Sequence, residues 1–207
     1  MVITYQGLEF FKLQVGDLVV GLNAPSKDSD FKISRFGADI ALASIGHEDM
    51  DGGAELVYGE KSPFFIKGPG EYEIKNIFIR GVQGISNYGG KEVINTIYTI
   101  TIDGMNVCFL GAQSSKTLSA EAKEALGEID VLFVPIGGDG VLDPAPAYQL
   151  AVSLEPKIII PMHYNEKTLA TFLKEGSQQA ADSVEKLTIK RKDIDSKQGE
   201  IIIIKKS

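Results

Sequence analysis

The sequence is short of the residue types that define several common functional classes. Its 207 residues include only two histidines and one cysteine, and acidic residues outnumber basic ones by 28 to 21. The net charge of −7 argues against a nucleic-acid partner, because affinity for phosphate backbones comes from clustered Lys and Arg. The basic runs Lys190-Arg191-Lys192 and Lys205-Lys206 are more typical of a solvated surface.

Long apolar runs and leader-like segments are also missing. No stretch approaches the roughly 20 apolar residues that a membrane-spanning helix needs. The opening residues, MVITYQGLEFF, run directly into an alternating strand-like pattern without a charged leading region or a cleavage motif. Cys108 lies in the apolar run NVCFLG, which predicts a buried packing role, and a single cysteine excludes an internal disulfide. We therefore expect a cytoplasmic protein with no membrane partner.

Strand signals dominate the first half of the chain. Runs of β-branched and aromatic residues alternate with Gly, Asn and Asp turns, and GPGEYE and IDGM look like hairpin or tight-turn connections. The predicted strands lie in MVITYQG, LEFFKLQV, DLVVGLN, ADIALAS, PFFIKG, YEIKNIFIRGV and TIYTITIDGMNVCFLG.

After Gly111 the pattern changes to helices that alternate with short apolar strands. Ser119, Asp143 and Asn165 are predicted helix N-caps, and Gly127 and Gly176 are predicted helix ends. The segments VLFVPIGG and KIIIPMHY predict buried strands, and the tail returns to strand in LTIKRKD and GEIIIIKK. The length is close to that of one domain, and no repeat or linker divides it, so we expect a single domain over 1–207.

Both histidines follow predicted buried strands. His47 lies in IGHED after ADIALAS, His163 lies in HYN after KIIIPMHY, and Asp49 adds a carboxylate two residues after His47. Ligands gather outside the carboxyl ends of strands in layered α/β proteins, and three ligands plus a water form a catalytic zinc site. A structural interpretation stays open, with His47 bonded to loop backbone, Asp49 capping a turn and His163 closing the sheet end. Asp139 and Asp143 are interpreted as a turn residue and a helix N-cap, although either could line such a pocket.

These strand-end residues and the segments around them resemble the metallo-β-lactamase superfamily, and within it the group similar to L-ascorbate-6-phosphate lactonase and other metal-dependent hydrolases. The likeness covers essentially the whole chain. It rests on ITYQGLEFFKLQ, GADIALASIGHEDMDG, GPGEYEI, NTIYTITIDGMNVCFLGA and VLFVPIGGDGVLDPAPAYQLAVSLEPKIIIPMHY. The resemblance implies an α+β fold, a four-layer αββα sandwich, with two metals held where the loops meet.

The family's metal motif is only partly present. Where family members have His-x-His-x-Asp-His, this sequence has Ile45, His47, Asp49 and Met50. The histidine that the resemblance places in the segment GISNYGG, Gly84 to Gly90, is missing, and Ala112 matches the usual bridging aspartate. His163 matches the last family ligand. By the family pattern, His47 belongs to one metal, and Asp49 and His163 belong to the other.

Three hypotheses follow. The first is a lactonase-like fold with a degraded metal site that binds a ligand or assembles, with either no metal or one weakly bound zinc or manganese ion. The second is a hydrolase of a small lactone, ester or phosphodiester, using one metal on His47, Asp49 and His163. The third is a partner-binding or structural subunit, for which a homo-oligomer is the natural expectation because related lactonases form oligomers. Whether the chain is an enzyme stays open at this point.

Overall fold

Two β-sheets and a set of helices form the framework of the protein. The computed structural model describes residues 1–31, 34–60, 62–177 and 182–207. The strands in these ranges are β1 Val2–Gly7, β2 Phe10–Val15, β3 Leu18–Leu22, β4 Ile40–Leu42, β5 Phe64–Ile66, β6 Gly70–Ile74, β7 Ile77–Ser86, β8 Val93–Ile102, β9 Met105–Phe109, β10 Val131–Pro135, β11 Ile158–Met162, β12 Asp182–Val184, β13 Leu187–Thr188 and β14 Glu200–Ile204. The α-helices are α1 Ala120–Leu126, α2 Pro144–Ser153, α3 Glu166–Glu175 and α4 Arg191–Ile194.

The strands divide into two sheets of different character. The first sheet has the order β13-β1-β2-β3-β4-β5, and the second has the order β12-β14-β11-β10-β9-β8-β7-β6. Strands β9, β10, β11, β14 and β12 run parallel, whereas β6 to β9 form an antiparallel meander. The predicted combination of helices with sheets of the metallo-β-lactamase type is confirmed. Over the described ranges, no helix is both long and apolar enough to cross a membrane.

The main core lies between the two sheets. Phe11 from the first sheet packs edge-on against Phe133 from the second, with ring centroids 4.7 Å apart, and Phe109 contacts Phe133 at 6.0 Å. All three rings are fully buried. Burial of such a ring stabilises the fold by about 1.5–3 kcal/mol, so this layer holds the two sheets face to face.

The outer faces of the two sheets are covered differently. Helices α1, α2 and α3 cover the second sheet, where Leu150 and Phe172 pack against strand residues such as Leu132. Leu56 and Phe36, from irregular chain, cover the first sheet beside a short 3-10 helix at Gly53–Glu55. The predicted helical layer is therefore present on the second sheet, whereas the described cluster on the first sheet contains no α-helical residue.

Most of the predicted turns and caps are observed. The IDGM turn is confirmed, because Asp103 and Gly104 take positive φ angles of 54° and 70° between β8 and β9, as a two-residue hairpin requires. Ser119 accepts a hydrogen bond from the Ala122 amide at 3.0 Å. Asn165 forms a reciprocal cap with Thr168 on α3.

Several local predictions differ from the structure. The tail segment LTIKRKD is strand only at Leu187–Thr188, and Arg191–Ile194 form the helix α4. GPGEYE does not close a hairpin, because β5 belongs to the first sheet and β6 to the second, so the segment crosses between sheets. The neighbouring hairpin turn lies instead at Lys75 and Asn76, between β6 and β7. Asp143 occupies the N-cap position of α2, but its side chain makes no capping bond; Pro144 follows it in the first turn.

The parallel strands set the location of the functional region. Because β9, β10 and β11 run in the same direction, the segments that follow them emerge along one edge of the second sheet. The segment after β4 joins this edge from the first sheet, since the Ser44 carbonyl accepts a hydrogen bond from the Thr96 amide on β8 at 2.8 Å. Residues that follow four different strands therefore meet at one place.

Candidate functional site

His47 lies in a tight turn after β4. Its carbonyl accepts hydrogen bonds from the amides of Met50 at 2.8 Å and Asp51 at 2.9 Å. Its Nδ1 accepts the amide hydrogen of Asp49 at 3.2 Å. One ring nitrogen of His47 is thus engaged by the loop backbone, as the structural interpretation of the sequence proposed.

Asp49 is buried, and both of its carboxylate oxygens accept hydrogen bonds. Oδ1 accepts from the Ser29 hydroxyl at 2.6 Å, and Oδ2 accepts from the Tyr88 hydroxyl at 2.7 Å. Oδ2 also lies 3.4 Å from His47 Nδ1. A buried carboxylate needs such donors to offset the loss of its hydration, so these contacts fix Asp49 in place.

Tyr88 contacts both histidines. It begins a short 3-10 turn, Tyr88–Gly90, in the connection from β7 to β8. Its ring packs edge-on against His47 with centroids 4.8 Å apart and against His163 at 5.2 Å. Burial, and next the hydrogen bond to Asp49, raises the pKa of its hydroxyl well above the usual range, so the group stays a neutral donor.

His163 is held in place from its backbone and from its ring. It takes a positive φ of 54° directly after β11, and its amide donates to the Leu8 carbonyl at 2.7 Å. Its Nδ1 lies 2.7 Å from Oε1 of Glu9, whose side chain is fully buried. This contact engages Nδ1 and sets the orientation of the imidazole ring.

A buried polar network holds the Glu9 side chain in place next to His163. Asn23 donates from Nδ2 to Oε2 of Glu9 at 2.7 Å and to the Ser44 hydroxyl at 2.8 Å. In return, Asn23 Oδ1 accepts from the Ser44 amide at 2.8 Å. The hydroxyl oxygen of Ser44 also accepts a hydrogen bond from the Ala112 amide at 3.3 Å. The network connects the turn after β1 with the segments that follow β3, β4 and β9.

Three positions at which the resemblance predicts missing ligands lie in one apolar cluster. Ile45, Met50 and Ala112 are buried together with Val141, and Tyr88 packs against them. Met50 and Ala112 have no exposed surface. An apolar wall does not compensate a divalent ion for its lost hydration. Ile45, Met50 and Ala112 therefore offer no ligand and also make the place less favourable for an ion.

The donors around Tyr88 do not fit a divalent ion in this arrangement. A zinc site needs three or four nitrogen, sulfur or oxygen ligands that converge on one point. Here the oxygens of Asp49 accept from hydroxyls, and the ring of Tyr88 packs against both His47 and His163. Over the described ranges, no three His, Cys, Asp or Glu side chains form a group that could hold a metal ion. The residual site at His47, Asp49 and His163 stays a prediction.

The three residues that the sequence predicts as ligands, His47, Asp49 and His163, all contact Tyr88. The sequence did not predict a role for Tyr88 or for Glu9. Tyr88 lies inside GISNYGG, the segment in which a family histidine was expected, so a large aromatic residue there was the available signal. Glu9 stands between apolar residues in the run LEFF, and a carboxylate in such a run indicates a buried partner.

Comparison with known proteins agrees with this geometry at the level of the family. A model described as the beta-lactamase superfamily domain matches residues 2–163. Together with the two-sheet architecture and the site at the strand ends, this match shows that the chain belongs to the metallo-β-lactamase superfamily. The resemblance inferred from the strand-end motifs is confirmed.

The similar proteins include metal-dependent hydrolases. The chain is 25% identical over 199 residues to a UPF0173 metal-dependent hydrolase of Listeria innocua, over 80% of this chain and 86% of the relative. It is 28% identical over 200 residues to a UPF0173 metal-dependent hydrolase of Bacillus cereus, with the same coverage. A Thermotoga maritima structure, named as a Zn-dependent hydrolase of the metallo-β-lactamase superfamily, has a TM-score of 0.76 and 27% identity, over 98% of this chain and 97% of that chain.

Proposed function

We propose that this chain is a member of the metallo-β-lactamase superfamily that does not hydrolyse substrates through the usual metal site and acts by binding a ligand or by assembling. The observation that carries the proposal is the position of Tyr88. Its ring packs against both His47 and His163, and its hydroxyl donates to Asp49. These are the three side chains that a residual metal site would use.

The energetic argument follows from the apolar cluster. A divalent ion at this place needs charged or imidazole ligands in place of its water shell. Ile45, Met50 and Ala112 offer none, and Asp49 has its oxygens satisfied by neutral hydroxyl donors. Metal binding therefore requires Tyr88 to leave and two buried hydrogen bonds of Asp49 to be rearranged.

The relatives named above are metal-dependent hydrolases, so hydrolysis is the activity against which the proposal is tested. The experiment incubates the full chain with zinc or manganese and a panel that contains a lactone, a carboxylic ester and a phosphodiester. The expected result is a rate equal to that of His163→Ala and unchanged by chelator. Turnover that disappears in His163→Ala and in chelator would overturn the proposal.

A second candidate is a single-metal hydrolase that uses His47, Asp49 and His163. The observation that favours it is the Glu9 carboxylate on Nδ1 of His163. A carboxylate behind a histidine orients the other ring nitrogen and raises its basicity, as it does around metal-ligating histidines. This candidate predicts that His163→Ala removes bound metal and turnover together. Turnover that is insensitive to both His163→Ala and chelator would exclude it.

Location, partners and substrates remain proposals that rest on the sequence. A cytoplasmic location stays a prediction from the sequence. The net charge of −7 supports a protein without a nucleic-acid partner. Lactonase-like substrates and a homo-oligomer follow only from the family resemblance. Sedimentation of the purified chain tests the oligomer, and the substrate panel tests the lactone preference.

A further inference from the structure

A second cavity opens beside the candidate site, on the far side of the turn between β1 and β2. Its volume is about 400 Å³, which is in the usual range for sites that hold small organic molecules. We name it the Lys206 pocket. The residues that line it and carry the following steps are Tyr5, Leu8, Pro25, Phe31, Tyr164 and Lys206.

The C-terminal residues are fixed against this cavity by backbone pairing. Lys206 forms a parallel β-bridge with Tyr5, and the Ser207 amide donates to the Tyr5 carbonyl at 2.9 Å. Gly7 has a φ of +111°, and a Cβ at this position would lie 3.0 Å from Cε of Lys206. The missing side chain of Gly7 therefore leaves room for the Lys206 stem to lie along the pocket.

The ammonium group of Lys206 is available to a ligand. The neighbouring Lys205 is paired with Glu185 at 3.1 Å. Within the part of the chain that the structure describes, Lys206 has no such carboxylate partner. In a chain with a net charge of −7, an unpaired cation at the edge of a cavity attracts anions.

The walls of the pocket are aromatic and apolar. The rings of Tyr5 and Tyr164 have centroids 6.1 Å apart and are tilted by 31°, and the side chain of Phe31 is 44% exposed. Leu8 and Pro25 complete the apolar lining. Such walls bury the flat or apolar part of a small molecule.

A neutral hydroxyl donor adds to the cation. The Tyr5 hydroxyl donates a hydrogen bond to the Leu8 carbonyl at 3.0 Å. The Tyr164 hydroxyl donates to no group among the described residues. A cation and a hydroxyl donor at one cavity favour an acid group on the ligand.

We propose that the Lys206 pocket binds a small organic anion with an aromatic or flat apolar body, whose acid group contacts Lys206 and Tyr164. The inference goes beyond the proposed function, because it concerns a different cavity and needs no metal. The pocket and the site adjoin at the turn that carries Leu8 and at Tyr164, which directly follows His163. Binding in this pocket would give the protein a ligand whether or not the site beside Tyr88 hydrolyses anything.

The test measures the binding of naphthoate and of the isosteric neutral naphthamide to the full chain by calorimetry. Lys206→Gln removes the charge from an exposed residue next to the C-terminus, and Lys192→Gln, on exposed α4, is the matched control. We expect saturable naphthoate binding that weakens by about three- to tenfold in Lys206→Gln and stays unchanged in Lys192→Gln. Naphthamide should bind the wild-type chain more weakly by a similar factor.

Three results would overturn the inference. These are the absence of saturable naphthoate binding, equal affinity for naphthoate and naphthamide, and an unchanged affinity in Lys206→Gln. Tyr164→Phe is a second variant, and it should weaken naphthoate binding without changing the naphthamide affinity. All of these measurements are made in chelator, so their outcome is independent of the hydrolysis test above.

Discussion

The Tyr88 hydroxyl donates a 2.7 Å hydrogen bond to Oδ2 of Asp49, and the ring of the same tyrosine packs against both His47 and His163. One side chain thus connects the three residues that the sequence predicts as metal ligands. A metal ion would connect them in another way, because all three side chains would coordinate the same ion. We infer that Tyr88 provides the cross-link that a metal provides in active members of the family.

Removal of the Tyr88 hydroxyl should destabilise the protein. Tyr88→Phe leaves Oδ2 of buried Asp49 without its hydroxyl donor, and a hydrogen bond to a charged group contributes about 1.5–3 kcal/mol. Because Tyr88 is only partly buried, we expect a loss of about 1–2 kcal/mol in urea unfolding. Tyr58→Phe, at a side chain that is 78% exposed, is the control and should have no effect. Equal stability of Tyr88→Phe and wild type would contradict the cross-link.

Glu9 should be among the least replaceable residues of the site. Its two buried oxygens accept from His163 and from Asn23, and a glutamine would turn an NH₂ group toward one of these donors. We expect Glu9→Gln to lower the free energy of unfolding by about 2–4 kcal/mol, measured with urea. Glu124→Gln, at an exposed position on α1, should change it little. A Glu9→Gln protein as stable as this control would show that the network is not required.

Stability should fall at alkaline pH. Burial raises the pKa of Tyr98 far above its usual value, so the folded state keeps a hydrogen that the unfolded chain loses above about pH 10. The unfolded state then binds fewer protons, and each such tyrosine lowers stability by up to about 1.4 kcal/mol per pH unit. Unfolding between neutral pH and pH 11 measures the slope. Tyr98→Phe should have the shallower slope above pH 10, and identical slopes would refute this assignment.

The single thiol should report on global unfolding. Cys108 has no exposed surface in β9, and burial raises the pKa of its thiol, so both access and thiolate are lacking in the native state. We expect no reaction with Ellman's reagent in buffer and one thiol per chain in denaturant. Rapid labelling of the native protein would show that β9 opens locally.

The sequence predicted those parts of the fold that depend on neighbouring residues. Ser119 and Asn165 begin their helices as expected, because an N-cap signal needs only the next three or four residues. The apolar runs of β10 and β11 are buried on both faces, as expected for strands between two layers. Such local signals placed the carboxyl ends of these strands, and therefore the region of the site.

The parts that the sequence did not predict depend on contacts between distant segments. The pairing of Tyr88 with Asp49 joins residues 39 positions apart, and that of Glu9 with His163 joins residues 154 apart. No periodicity encodes such pairs. The GPGEYE segment shows the same limit, because its residues permit a hairpin and only the assignment of β5 and β6 to different sheets excludes one.

Zinc binding by the native chain tests the central claim most directly. The wild-type chain, Asp49→Asn and His163→Ala are each stripped of metal with chelator and dialysed against zinc. The zinc bound per chain is then measured for each protein. The account predicts substoichiometric zinc that is the same in all three proteins, because the Tyr88 hydroxyl is bonded to Asp49 and the apolar cluster around Met50 supplies no ligand. One zinc per wild-type chain, lost in both variants, would contradict it.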